Sequence, residues 1–242
     1  MMIKWLQLKQ VLCNPRFLLF TIVIPVLWYI MMLNMAPAHP DLNYGIFLIA
    51  CLFGIGGNSV VTFAKRINSG RQYYALKAKT SAYSLGYYLF DQVLLQLILN
   101  LLIIVINIGI GMVSGRLPIN NKLVVFTLFL SCAGVYLSIV GFVLGMLMQA
   151  ETLDAVDFPV MCCMMLLVTP LDLFYQNTFI KYLVDVQKLF PFHYIYNVLS
   201  DLLTKKTLLG DILLFALTLV ITLMPLLVVI YWQNRRGKID AF

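Results

Sequence analysis

Six apolar runs follow one another along this chain: Phe17–Met35, Tyr44–Ala64, Tyr88–Val113, Leu123–Met148, Phe158–Tyr175 and Ile212–Trp232. A helix needs about 20 apolar residues to cross the hydrocarbon core of a bilayer, and each run is of that order. They fill the chain from end to end and leave no room for a soluble domain. Only 11% of the residues are charged, against about 25% in ordinary soluble domains, so too little polar surface exists to face water. The expected fold is an all-α membrane protein, residues 1–242 forming one domain with six transmembrane helices. An N-terminal interfacial helix over 1–16, a cytosolic basic segment over 65–87 and short re-entrant helices over 176–210 complete it.

The net charge of +7 reports orientation, and no nucleic-acid partner is inferred from it. With the N-terminus inside, eleven of the 17 Lys and Arg fall on the cytoplasmic side (Lys4, Lys9, Arg16, Lys65, Arg66, Arg71, Lys77, Lys79, Arg235, Arg236, Lys238). Such an excess marks the inner face. Both termini are then cytoplasmic. The segment Gln149–Asp157 dissents: it is expected as an inner loop, yet holds Glu151, Asp154 and Asp157 and no base. The cysteines Cys13, Cys51, Cys132, Cys162 and Cys163 show no CxxC spacing and read as buried, inert thiols. His39 and His193 have no neighbouring ligands, so no metal site is expected. The first run ends at "MAPAHP", which mimics a signal-peptide cleavage site. Its length and its amphipathic 16-residue leader argue for a retained first span.

"MMIKWLQLKQVLCNPR" mixes Ile3, Trp5, Leu6 and Leu8 with Lys4 and Lys9, the composition of a helix lying in the membrane interface. Pro25 falls inside the first span, where a kink is tolerated once neighbours re-satisfy the freed carbonyl. In the third span Gln92, Gln96, Asn100 and Asn107 fall within about 80° of arc at about 100° per residue. Four amides cannot face lipid, so the stripe faces protein or water. It either holds helices together by hydrogen bonds or lines a pathway, and Asn58 in the second span is a further candidate lining residue. In the fourth span Gly134, Ser138, Gly141 and Gly145 form a small-residue face suited to close helix packing. Between the fifth and sixth spans the chain is half-apolar and broken by Pro170 and Pro191, which fits short helices dipping into the outer leaflet.

No H-E-x-x-H, no paired carboxylates inside a span and no P-loop appear. Asp91, Asp157, Asp172 and Asp211 all sit at span ends, whereas an ion-coupled carrier more often buries an ionisable group mid-span. If the chain moves cargo uphill, its energy comes from a partner.

The stretch Phe63–Tyr88, "FAKRINSGRQYYALKAKTSAYSLGYY", holds five Lys or Arg and no acid between two apolar runs. It suits an anchor on anionic headgroups and equally a docking helix. Three segments carry a family resemblance. They are Asn14-Pro15-Arg16 before a first span with Pro25; Arg66, Gly70 and Leu76 after the second span; and Pro170, Pro191 and Tyr194 around the end of the fifth. In these the whole chain resembles the permease subunits of ATP-binding-cassette type-2 exporters. It differs from that pattern at Lys65 and Ile67, at Lys79 and at Val168-Thr169.

The resemblance implies a non-catalytic permease in a plasma membrane of bacterial type, working as a dimer with itself or a sibling. The segment after the second span would then be a coupling helix seated in a cytosolic ATPase, through Lys65, Arg66, Gly70, Arg71, Tyr74, Leu76 and Lys77. Pro170, Pro191 and Tyr194 would belong to the outer gate. ATP and magnesium would be bound by the partner and no cofactor by this chain. Amphipathic cargo such as a peptide, a drug or a lipid-linked molecule suits the apolar interior. The rival expectations are a self-sufficient channel or secondary carrier, favoured by the amide stripe, and an intramembrane lipid-modifying enzyme.

Overall fold

A computed structural model describes residues 19–37, 40–80, 85–171, 177–204 and 208–235. The interfacial helix expected over 1–16, Cys13, and residues 81–84 of the basic segment lie outside these. Among the described residues all regular structure is helical. A π-helical turn, Leu19–Val23, runs into α1 (Ile24–Met35). The next element starts as α2 (Pro40–Gly56), widens into a π turn at Gly57–Thr62 and continues as α3 (Phe63–Thr80). Then follow α4 (Leu85–Val113), α5 (Asn121–Leu147), α6 (Ala150–Val168), α7 (Thr178–Gln187), α8 (Pro191–Thr204) and α9 (Leu209–Arg235).

Among the described residues four helices are long and apolar enough to cross a membrane: Leu42–Tyr74, α4, α5 and Leu209–Gln233. Ile24–Met35 is a shorter apolar helix, and α6 carries three acids in its first half. The centre of the bundle is α5, which packs against α2, the π turn, α3, α4, α8 and α9. Its small residues explain that position. A Cβ on Gly145 would stand 2.6 Å from the carbonyl oxygen of Ala64, and one on Gly141 would collide with the backbone of Ser59 and Val60. The two helices therefore touch backbone to backbone, as small-residue faces allow. The reverse face of the bundle is greasy: Phe90, Val105, Leu128, Val220 and Val228 are all exposed, as expected where the solvent is lipid.

Several expectations change. The helix that holds the second apolar run does not end near Ala64, because it runs unbroken from Pro40 to Thr80. A switch from apolar to basic composition marks a change of solvent, but Ala, Lys, Arg, Gln and Leu are all good helix formers and nothing there stops the helix. The expected loop Gln149–Asp157 is helical from Ala150, and α6 ends at Val168; its acids are tolerated because Lys65 answers two of them. Cys51 is buried, whereas Cys132, Cys162 and Cys163 are exposed. A thiol facing lipid has no need of protein cover, so an apolar setting does not imply burial within the chain. Pro25 opens the regular part of α1 directly after the π turn, and its ring packs against the position of Gly54.

Candidate functional site

The polar interior is built where the π turn meets α4 and α5. Widening the helix at Gly57–Thr62 turns Asn58 and Ser59 inward, and both are buried. Asn100 of α4 is the hub. Its Oδ1 accepts from Asn58 Nδ2 at 3.0 Å, from Ser59 Oγ at 3.2 Å and from Gln96 Nε2 at 3.4 Å. Its Nδ2 donates to Ser59 Oγ at 2.8 Å and reaches the carbonyl of Gly134 at 3.5 Å. Ser138 Oγ donates to the same carbonyl at 2.6 Å. The stripe of α4 thus faces other helices of its own chain: Gln92, Gln96, Asn100 and Asn107 are all buried. Side-chain networks of this kind hold membrane helices together where apolar contact gives no preference over lipid. Amides and hydroxyls neither bind nor release protons near neutral pH. The network can position and hydrogen-bond a group, but it cannot act as an acid or base.

One step toward the basic end, Arg66 Nη2 donates to Gln96 Oε1 at 2.8 Å, and its guanidinium lies 4.9 Å from the centre of the Phe63 ring. Arg71 donates to the carbonyl of Gly145 at 3.0 and 2.5 Å and to that of Met148 at 2.6 Å, and Asn68 joins it on Met148 at 2.6 Å. These carbonyls belong to the last turn of α5, whose final C=O groups have no partner within the helix. Cations also suit the negative end of the helix dipole. Lys65 pairs with Asp154 at 2.7 Å and with Asp157, tying α3 to α6. A Cβ on Gly70 would meet the Tyr88 hydroxyl at 3.1 Å, and Tyr74 stacks on Tyr88 at 4.6 Å.

Of the seven residues expected to meet an ATPase, Arg66, Arg71, Tyr74 and Lys65 are thus engaged with their own chain, and Gly70 lies under Tyr88. Leu76 is exposed and Lys77 half-exposed. Ser69, Gln72, Tyr73 and Leu76 make the outward face of α3. Gln72 and Tyr73 fall outside the residues that the resemblance implies, because it matches positions along the chain and not a face of the helix. The acid partners of Lys65 also went unassigned. Their signal was present as the three-residue spacing of Asp154 and Asp157 in the segment that breaks the charge asymmetry.

At the other end, Asn43 Nδ2 donates to the carbonyl of Arg116 at 3.1 Å, and Asn120 Nδ2 to the Tyr44 hydroxyl at 2.7 Å. Pro170 and Pro191 are buried, and the Tyr194 hydroxyl donates to the carbonyl of Lys188 at 3.1 Å. The polar key here is Gln187, 3% exposed. Its Nε2 donates to the carbonyls of Leu166 at 2.5 Å and Thr169 at 2.7 Å, closing the end of α6 with the end of α7. On the exposed side of α7 the Lys188 ammonium holds the Asp185 carboxyl below the usual carboxylate range. Among the described residues no three His, Cys, Asp or Glu converge to hold a metal ion. Comparison of the chain with protein-family models, with curated proteins and with solved structures finds no match.

Proposed function

We propose that this chain is the membrane-spanning subunit of an ATP-driven exporter, working as a dimer with two cytosolic ATPase subunits and carrying amphipathic cargo across a plasma membrane. The observation that carries the reading is the unbroken helix from Pro40 to Thr80. It joins an apolar span to a basic extension without a hinge, so a force applied to α3 is delivered along the span. The extension presents Gln72, Tyr73 and Leu76 outward. An aromatic, an aliphatic and an amide are typical of a small docking surface with a dry centre. Six spans, formed by the four long apolar helices together with α1 and α6, belong to the same reading. So do cytoplasmic termini and a seat for α7 and α8 in the outer leaflet.

In this reading the roles within the basic segment divide. Lys65, Arg66 and Arg71 brace α3 against α4, α5 and α6, and the exposed face makes the ATPase contact. The amide stripe holds helices together, because a pathway between two copies would run outside the side chains that one copy buries. The test is extraction in mild detergent followed by affinity capture. A P-loop ATPase is expected in near-equal amount, and Tyr73→Ala with Leu76→Ser is expected to lose it while helicity is kept. Capture of the chain alone in several mild detergents overturns the reading.

One observation favours the self-sufficient carrier or channel: the polar interior lies within a single copy, so a pathway there would need no second subunit. Solute flux through liposomes holding this chain alone, abolished by Asn100→Leu, would establish it.

A further inference from the structure

Arg66 and Arg71 share α3 and differ in how their charges are answered. Arg71 rests on two carbonyls at the end of α5, those of Gly145 and Met148. Arg66 has one oxygen, Gln96 Oε1 at 2.8 Å, and the ring of Phe63, whose centre lies 4.9 Å from its guanidinium carbon. Its Nε is buried with no hydrogen-bond partner among the described residues. Among these residues no carboxylate pairs with it either, since Asp154 and Asp157 both go to Lys65.

Side chains on a helix lean toward its N-terminus, and the contact with Phe63, one turn earlier, shows Arg66 doing so. The charge is thereby drawn from the basic end into the apolar helix Leu42–Tyr74. Gln96 holds it there, and reaches on to Asn100 and Ser59 only through long bonds of 3.4 and 3.5 Å. Phe63 itself belongs to a buried cluster with Ile67, Tyr74 and Tyr88. The Tyr88 hydroxyl stands over the Arg66 face of α3, because a Cβ on Gly70, one turn further on, would meet it at 3.1 Å.

A cation within a span is costly unless an opposite charge or a full set of acceptors answers it. Arg71 meets the second condition and Arg66 meets neither. Lipid tails supply no acceptor, so the unanswered edge of Arg66 calls for an oxyanion. A guanidinium takes phosphate through two N–H groups of its planar fork. Part of Arg66 remains open to the surroundings, which gives such a group a way in. At the basic end of a membrane bundle the oxyanion at hand is the phosphate of a lipid. We propose that Arg66, held by Gln96 and with the Tyr88 hydroxyl on the same face of α3, is a binding site for a phosphate oxyanion carried by an anionic phospholipid. Such a site serves an exporter subunit and a carrier alike, and failure to capture an ATPase leaves it untouched.

The test is native mass spectrometry of the full chain released from nanodiscs of phosphatidylglycerol and phosphatidylcholine in equal amount. The unaltered chain is expected to retain phosphatidylglycerol several-fold over phosphatidylcholine, and Arg66→Gln to lose most of that preference. Lys77→Gln removes the same charge from the same helix and is expected to change the ratio little. Arg66→Lys keeps the charge and gives up the planar fork; it is expected to fall between the two, and it carries the test if Arg66→Gln does not fold. Added inorganic phosphate separates the sources. Phosphatidylglycerol that stays bound shows a site for the whole lipid, whereas its displacement by a phosphate adduct that needs Arg66 shows a site for the phosphate group itself. A preference that the Arg66 variants lower no more than Lys77→Gln does overturns the proposal. So does a ratio near one in an unaltered chain that binds no inorganic phosphate.

Discussion

Replacing Gly141 by alanine tests how the bundle is assembled. A Cβ at this position lies 3.0 Å from the carbonyl carbon of Ser59 and 3.2 Å from the Cα of Val60, and closer still to the Ser59 oxygen. All three obstacles are backbone, so no rotamer change relieves them and the helices must separate. Overpacking of this kind costs about 1–3 kcal/mol. Separation also stretches the bond from Ser138 of α5 to Ser59 of the π turn, worth about 0.6 kcal/mol between membrane helices. Against this, alanine is a better helix former than glycine by about 0.5–1 kcal/mol. The net expectation is a loss of about 1–3 kcal/mol. Reversible unfolding by SDS in mixed micelles, followed by far-ultraviolet circular dichroism, measures it. Gly109→Ala is the control, since nothing lies within 4 Å of a Cβ there, and it is expected to be neutral or slightly stabilising. If the two variants unfold together, backbone contact between α5 and the π turn is not what holds these helices.

Three further outcomes follow from the same geometry. Asn100→Leu removes the acceptor shared by Asn58, Ser59 and Gln96 and is expected to cost about 1–3 kcal/mol in the same SDS titration. Lys65→Met is expected to cost under about 1 kcal/mol, because the pair with Asp157 is only about two-thirds covered. Lys65→Glu instead gathers like charges with Asp154 and Asp157. The like charges repel, so this variant is expected to be less stable than Lys65→Met, by an amount that shrinks as salt screens the repulsion; unfolding of the two variants at low and high ionic strength checks it. Gln187→Leu strands the carbonyls of Leu166 and Thr169, and limited proteolysis is expected to cut faster between α6 and α8.

The apolar runs that became α4, α5 and the last helix were legible because composition alone decides where lipid is the solvent. The amide stripe was legible too, since a helical period is visible in one segment read by itself. Its partners were not. Nothing local to Ser59 says that it will meet Asn100, because that meeting depends on a π turn whose sequence, GNSVVT, reads as ordinary span. Arg66 and Arg71 showed the limit of charge as a guide. A basic residue near a span end reads as facing water or headgroups, yet these two complete neighbouring helices inside the bundle. Exposure of Tyr73 and Leu76 required knowing which side of α3 the small residues of α5 would cover.

The π turn also sets the phase of the long helix. Phe47, Cys51, Ile55, Ser59, Phe63 and Ile67 are all buried and advance in strict steps of four. In an α-helix of 3.6 residues per turn such a line swings about 40° at each step and soon winds round to the far side. Admitting one residue too many between Gly57 and Thr62 takes back about 100° of that swing. The inner half therefore arrives at α5 with Ile67 and Arg71 facing it and Gln72 and Tyr73 facing away. Deleting one residue there leaves ordinary α-helix with the same downstream phase, since the residue removed carries the 100° that the π turn takes back. Substitutions that narrow the turn at constant length do not preserve this timing, because every side chain downstream rotates together, hiding the outward face and offering the braced one to solvent.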